Sequence, residues 1–414
     1  MDTKKRKTAV YMVAYTYYPT DPRVRREAEM LASLEDFEVR VVVPKSGDVP
    51  RTTQSSGVSV VELNVCRYRG KSLFAYVLSY LKFLFAAFCD CTRLTIGGRI
   101  DVVHIHNMPD FLIFAAVVPR LLGRKVILDI HDSVPETYIG KFKNKSTLMF
   151  RLLCMEEAVC CRLAHRVICV NHPQRDVLVS RGIPEQKISV SMNVPDERWF
   201  HNGDGNGGSE RTVPDSFNLV FHGTLARRLG VDLTIHAVSK LNGSIPGLKF
   251  HIIGTGDDLE ELVALAESLG LGSSVQFHGP VPIEKLASAL SPMQLGIISN
   301  RKNIATELML PVKMLEYISL DIPVVAPPLK AIRHYFSDDM LNYFDVENVD
   351  SLSSAILDSY QNKEKRCRQI KNARNFLDQY GWVRQKQDLI GLYRSMALSP
   401  GSVKEKIKKE ISSC

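Results

Sequence analysis

Residues 201–210 read His201-Asn-Gly-Asp-Gly-Asn-Gly-Gly-Ser-Glu210, and the fold turns on what stands to either side of them. The run has too little apolar content to pack and reads as a surface linker. Upstream, short apolar runs rich in β-branched residues recur at Ala9–Ala14, Glu38–Val43, Ser59–Leu63, Val102–Ile105, Lys125–Ile130 and Arg166–Val170. Helix-length segments separate most of them: Arg23–Leu34, Leu73–Arg93, Phe111–Leu122 and Ser146–Leu163. Downstream the alternation restarts at Asn218–Phe221. It runs through Gly230–Lys240, Lys249–Ile253, Asp258–Leu269, Ser274–His278, Gln294–Ile298, Pro311–Leu320, Pro323–Ala326 and Asp350–Gln361. Short apolar strands separated by helices predict parallel sheets covered on both faces. The expectation is an α/β chain of two Rossmann-like, doubly wound domains, residues 1–205 and 206–384. A C-terminal helix and basic tail, 385–414, cross back toward the first. Ligands of such sheets bind beyond the carboxyl ends of the strands. Two such domains facing each other would place a site in the cleft between them.

At 414 residues the chain exceeds one ordinary core, and 45% hydrophobic with 24% charged residues excludes a disordered or fibrous protein. The net charge of +8 is one-sided. Residues 1–200 carry 29 Lys and Arg against 21 Asp and Glu, whereas residues 201–414 carry 24 of each. Residues 51–100 alone hold seven basic against two acidic side chains. That asymmetry points to an anionic partner. Nine cysteines with C-x-C and adjacent spacings do not match a zinc framework, and read as buried free thiols in a reducing compartment. The basic start Lys4-Lys5-Arg6-Lys7 leads into a short apolar run without a small-residue cleavage site, so a first strand fits better than a signal peptide. No apolar run reaches the roughly 20 residues of a membrane-spanning helix. A cytoplasmic protein is expected.

Four stretches carry candidate chemistry. His251-Ile-Ile-Gly254-Thr-Gly256-Asp257 runs from a strand through glycines into a helix; it is either a phosphate-facing turn or a plain βα turn. Arg227 and Arg228, between Gly223 and Gly230, form either a pyrophosphate clamp or a solvated basic loop. Lys313 and Glu316 share a helix face, suited to a phosphate and a sugar diol, or to a surface pair. Asp129-Ile-His131-Asp132 ends a strand in a histidine that either orients a substrate oxygen or caps the next turn. His104 and His106 lie on one side of a strand, but no third ligand is near in sequence, and no metal is expected.

Together these pieces resemble the retaining glycosyltransferases of family 4, over roughly residues 8–395. The resemblance rests on Asp21-Pro-Arg-Val-Arg-Arg-Glu-Ala-Glu29, Asp101-Val-Val-His-Ile-His-Asn107, His131-Asp132 with Pro135-Glu136, and Met192-Asn-Val-Pro-Asp196. The second half adds His222-Gly-Thr-Leu225, Ile253-Gly-Thr-Gly256, Phe277-His-Gly-Pro-Val281, Leu310-Pro-Val-Lys-Met-Leu-Glu-Tyr317 and Asp321-Ile-Pro-Val-Val-Ala326. It implies the GT-B architecture and sugar transfer from a nucleotide-diphosphate sugar, a co-substrate, with no cofactor. The implied acceptor is a hydroxyl of a glycan or lipid-linked molecule, in cell-surface polysaccharide or glycolipid synthesis, with the anomeric configuration retained; nucleic acid is not implied as a partner. By position, Glu316 matches the acid on the donor ribose, with Lys313 in the same turn. Gly254 and Gly256 match the loop beside the donor, Phe277 to Val281 the segment along the base, and His131 the histidine near the transferred sugar. The loop around Thr16 faces the diphosphate. Two positions depart from the pattern. The first of two paired glutamates falls on Leu308, leaving Glu307 one place off as a possible donor-sugar contact. The family's Arg and Lys fall on Thr224 and Leu229, with Arg228 as the substitute. The rival readings are a nucleotide-sugar epimerase on the same fold and a non-catalytic partner subunit.

Leu73–Phe88 is apolar on nearly every helical face and rich in aromatics, with Arg67, Arg69 and Lys71 before it and Arg93 and Arg99 after. This predicts peripheral docking on an anionic membrane surface at its inner face, with Phe83 among the inserted side chains; Lys82 and the short length argue against spanning.

Overall fold

The computed structural model describes residues 6–68, 70, 72–141, 146–200 and 216–397. The chain divides into two compact units. The first holds the chain through Tyr138, the stretch ending at Ser191 and the return from Lys386; the second holds Met192–Gln385 and takes in the short segment that starts at Ile139. The boundary therefore precedes the glycine-rich run, which lies outside the described residues, instead of falling at 205/206. The physical reason is packing: Met192, Val194 and Phe200 are buried, and the Met192 N–H donates to Gln385 Oε1 (3.0 Å). The basic tail also lies outside the described residues.

The first unit's sheet contains β1 (Thr8–Ala14), β2 (Phe37–Lys45), β3 (Thr52–Ser55), β4 (Val58–Cys66), β5 (Val102–His106), β6 (Lys125–Ile130), β7 (Arg166–Cys169) and β8 (Ile188–Val190). Their order is β3-β4-β2-β1-β5-β6-β7-β8, parallel throughout except for the β3–β4 pair. The second sheet contains β9 (Phe217–His222), β10 (Leu248–Ile253), β11 (Val275–Phe277), β12 (Leu295–Ile297), β13 (Val324–Ala326) and β14 (Asn342–Tyr343). It is wholly parallel in the order β11-β10-β9-β12-β13-β14. Both are doubly wound, and strand order reverses between β1 and β5 and between β9 and β12. The crevice beyond the carboxyl ends at such a reversal is where α/β sheets hold ligands.

Several expected elements change. Phe111–Leu122 is a 3-10 helix, Asp110–Ala116, followed by a short α-helix, Val117–Leu121. Pro119 lacks an N–H and is tolerated in a first turn, so the α-helix starts only two residues before it. Helix Leu73–Ile96 has 24 residues and is long and apolar enough to cross a membrane. Its length therefore does not argue against spanning; its packing does. Tyr80, Phe83, Ala87, Cys91 and Leu94 lie in the core on one sheet face, beside Tyr11, Ile105 and Leu128. Phe83 is fully buried, 5.3 Å from the Tyr15 ring, so it is a core residue and not a docking one. The free thiols also divide: Cys66, Cys89 and Cys367 are exposed, whereas Cys91, Cys160, Cys161 and Cys169 are buried.

The face of that helix away from the sheet exposes Phe74, Val77, Leu78, Leu81 and Phe85. On the same layer, helix Thr147–Leu163 buries Cys160 and Cys161 and turns Leu148, Leu152, Met155 and Val159 outward at helical spacing. Phe83→Ala should cost about 3–5 kcal/mol in urea unfolding, as for a large aromatic removed from a core. Phe85→Ser on the outer face should stay within about 0.5 kcal/mol of wild type.

Candidate functional site

In the second unit, β9 ends at His222 and helix Val312–Ser319 enters near the strand reversal. Lys313 sits in its first turn. Its Nζ is buried without a hydrogen-bond partner among the described residues, 3.7 Å from the centroid of the Phe221 ring. Burial pushes the Lys313 ammonium down to about 7, with Glu316 opposing the shift and Arg228 adding to it. Arg228 makes no ion pair among the described residues, whereas its neighbour Arg227 pairs with Asp232 (3.6 Å). Glu316 lies one turn on and is held by His222, whose Nε2 donates to Oε2 (2.6 Å). His222 is fixed in turn by the Tyr317 hydroxyl, 2.9 Å from Nδ1 and 3.1 Å from the His222 backbone N–H. A buried ammonium with no carboxylate bonded to it, beside an unpaired guanidinium, suits an anionic ligand. An oriented carboxylate one turn away suits a diol. Sequence reasoning missed His222 and Tyr317 as supports, although a histidine ending a central strand was the available signal.

The glycines have another job. A Cβ on Gly254 (φ +146°) would lie 1.9 Å from Gly223 O, and one on Gly256 would lie 2.0 Å from Leu225 O. The two loops bond each other, Gly223 N–H to Ile253 O (2.8 Å) and Leu225 N–H to Thr255 O (3.0 Å). Helix Leu259–Ser268 then opens with Glu260 and Glu261, a field that repels an anion. The plain βα turn is therefore the better reading of this loop. Phe277 ends edge strand β11 and Val281 follows, both half-buried on the same carboxyl edge. Glu307 is engaged at both oxygens: Oε2 accepts from the Lys330 N–H (2.6 Å) and Oε1 pairs with Lys302 (3.3 Å). It caps helix Lys330–Tyr335, which accounts for its carboxylate without a sugar.

In the first unit, Thr16 follows β1 and is half-buried, His106 ends β5, and His131 follows β6. Around His131 lies a buried network that sequence spacing did not reveal. Arg23 clamps Asp129, Nε to Oδ2 (2.9 Å) and Nη2 to Oδ1 (2.8 Å), and its Nη1 donates to Ser191 O (3.0 Å). His131 Nε2 donates to Asp129 Oδ2 (3.0 Å), and its backbone N–H donates to Asn107 Oδ1 (2.8 Å). Burial alone would raise the Asp129 carboxyl, but Arg23 and His131 hold it well below the usual range. Burial lowers the His131 imidazolium, and Asp129 outweighs it, leaving a raised value. Burial raises Glu27 against the pull of Arg23, 3.4 Å away. Glu27, His104, His106 and Asp129 bring donor atoms within 4.8 Å of one another, the set that spacing alone could not complete. Asp129 is forked by Arg23, which sets a guanidinium against this cluster. Arg67 is exposed and lies 5.8 Å from the Tyr15 ring; Arg69 and Lys71 lie outside the described residues.

The sequence pattern of Glycosyltransferase Family 4 matches residues 23–195, and that of Glycosyl transferases group 1 matches residues 209–376. The chain belongs to the family 4-like glycosyltransferases. It is similar to the GPI3 subunit of phosphatidylinositol N-acetylglucosaminyltransferase from Saccharomyces cerevisiae, 22% identical over 275 residues. That match covers 66% of this chain and spans 58%, less than two thirds, of the relative. Another similar relative, from Arabidopsis thaliana, carries the same enzyme name and is 24% identical over 245 residues, 59% of this chain and 51% of that one. Among solved structures, sucrose-phosphate synthase from Thermosynechococcus elongatus superposes with TM-score 0.75 at 15% identity, over 94% of this glycosyltransferase and 99% of that chain. Anabaena HepE in complex with UDP gives 0.68 at 13%, over 94% and 100%. These likenesses place the glycosyltransferase in the GT-B fold.

Lys313 makes stability depend on pH in a definite direction. Its unfolded value is about 10.4 and its folded value about 7, so between those limits the unfolded chain binds the extra proton and stability rises with pH. Lys313→Met removes a buried ammonium at pH 6 and a largely neutral amine at pH 9. The variant should therefore raise the melting temperature more at pH 6 than at pH 9; equal gains would show that the ammonium is not desolvated.

Proposed function

We propose that this glycosyltransferase moves a sugar from a nucleotide-diphosphate donor to a hydroxyl of a lipid-linked acceptor, with retention and without a metal ion. The observation that carries the reading is the buried Lys313 ammonium, without a hydrogen-bond partner among the described residues and beside Arg228, at the reversal of a wholly parallel sheet. Lys313 and Arg228 stabilise the departing diphosphate as negative charge develops on it. Glu316, held by His222, takes the ribose hydroxyls. In the first unit, His131 is the residue proposed to contact the transferred sugar.

A lipid-linked acceptor is supported by the names of the yeast and Arabidopsis relatives and by the exposed apolar faces of helices Leu73–Ile96 and Thr147–Leu163. Lys82, Arg93 and Arg151 are exposed along the same helices, and Arg67 precedes the first, which suits an anionic lipid surface. Phe74, Leu81, Phe85, Leu152 and Met155 replace Phe83 as the inserting side chains. The protein would act on the cytoplasmic face of the membrane, in cell-surface glycan or glycolipid synthesis.

Lys313→Ala and Glu316→Ala should each weaken binding of UDP or GDP by about 1.5–3 kcal/mol in calorimetry, the worth of a charge-assisted hydrogen bond. Wild-type affinity in both would remove the donor assignment. Incubation with donor sugars alone separates transfer from epimerisation, since only an epimerase converts the donor without an acceptor.

Docking should appear as sedimentation with anionic vesicles at low salt, reduced at high salt and by Phe85→Glu with Met155→Glu. Equal binding to neutral and anionic vesicles would remove the anionic-surface reading, and no binding would return the acceptor to a soluble glycan.

A further inference from the structure

The buried cluster of the first unit does more than hold strands together. We propose that Asp129 is a positioning residue. Clamped by Arg23, it takes the Nε2 proton of His131, fixing the ring and leaving Nδ1 for a ligand. The inference rests on the role of His131 given above and adds the group that orients it.

The geometry is specific. Asp129 is fully buried on β6, two residues before His131, so both project from the same side of the strand path. Its Oδ2 receives Arg23 Nε and His131 Nε2 at 2.9 and 3.0 Å. His106 Nδ1 lies 3.3 Å from that oxygen and 3.1 Å from His131 Nε2, and the ionised carboxylate is the stronger acceptor of the Nε2 proton. The Asn107 side chain holds the His131 backbone from the end of β5, and is itself anchored by Asp110 (2.8 Å) and the Asp132 carbonyl (2.8 Å). Ring and backbone are thus fixed independently. His131 Nδ1 makes no hydrogen bond among the described residues, and the side chain is about one-fifth exposed.

The charged and titratable groups around the pair come from four elements. Helix Pro22–Ala32 supplies Arg23 and Glu27, with Asp21 at its N-cap. Strand β5 supplies His104 and His106, β6 supplies Asp129, and helix Trp382–Met396 supplies Tyr393, bonded to His104 Nδ1. Arg23 is what makes the arrangement possible. Without a cation, a carboxylate this buried would take up a proton and lose its capacity for three donors. A purely structural cluster would need no bond to His131, whose ring is about one-fifth exposed while Arg23, Glu27, His104, His106 and Asp129 are buried.

The test is a double-mutant cycle with a spectroscopic readout. In the full-length protein, Asp129→Asn should lower kcat by on the order of tenfold or more, with UDP and GDP affinity unchanged. The combined Asp129→Asn, His131→Ala variant should be no slower than His131→Ala alone, because the first residue acts through the second. Independently of any substrate, ¹⁵N spectra of the histidines should show His131 protonated at Nε2 in wild type. Its titration should move toward the ordinary histidine value in Asp129→Asn. Additive losses, or an unmoved His131 spectrum, would overturn the proposal. So would a stoichiometric divalent ion in the purified protein that Asp129→Asn or Glu27→Gln releases. If Asp129→Asn does not fold, Arg23→Gln removes the cation that keeps Asp129 ionised, and the same shift of His131 is expected. If no donor is turned over by wild type, the functional reading fails while the spectra still decide this one.

Discussion

Parallel strands cannot be joined by a tight turn. Each return to the amino end needs a crossover, and apart from the β2–β4 pair, which is joined through the antiparallel strand β3, the crossovers here contain helices. Most of the rest follows from this constraint. Strands such as β1 and β9 are buried on both faces, so they read as continuous apolar runs, and polar chemistry is pushed to their carboxyl ends. His106, His131 and His222 each stand at or just beyond such an end. Where strand order reverses, the crossovers leave in opposite directions and open a crevice, and that is where Lys313 and Glu316 meet His222.

Two buried cations are handled in opposite ways. Arg23 is matched: its fork meets Asp129 and its remaining nitrogen meets a carbonyl. That pair is costly to break and rigid, which suits a support. Lys313 is left with only the Phe221 ring below it and no hydrogen bond among the described residues. An ammonium kept in that condition stores unfavourable energy that an anionic ligand relieves. Gly254 and Gly256 let the loops after β9 and β10 approach closely enough to bond each other, and a Cβ on Gly223 would stand 3.3 Å from Lys313 Nζ.

Local pattern predicted much of the fold, and it failed where distant residues decided the outcome. The strands β1, β6 and β10 stand within a residue or so of where their apolar runs place them, because a central parallel strand has few alternatives. Edge strands β3, β8 and β14 are short and only partly buried, so their composition carries little signal. Phe83 shows the limit on the site side. An all-round apolar helix does not declare which residues face the sheet, and only the packing of Tyr80, Phe83 and Ala87 against Tyr15 and its neighbours settles it.

The amino-acid sequence by itself determined the α/β class, the two parallel units, the family, and the candidate pair Lys313 and Glu316, since periodicity and short motifs are local properties. Tertiary structure alone decided which partners those residues have. Arg23 and Asp129 are 106 positions apart, His222 and Glu316 are 94 apart, and His104 and Tyr393 are 289 apart. It also turned Glu307 into a helix cap and Gly254 into a packing contact. Hydrogen bonds and close approach depend on distance in space, and sequence separation does not specify that distance until the sheets are assembled.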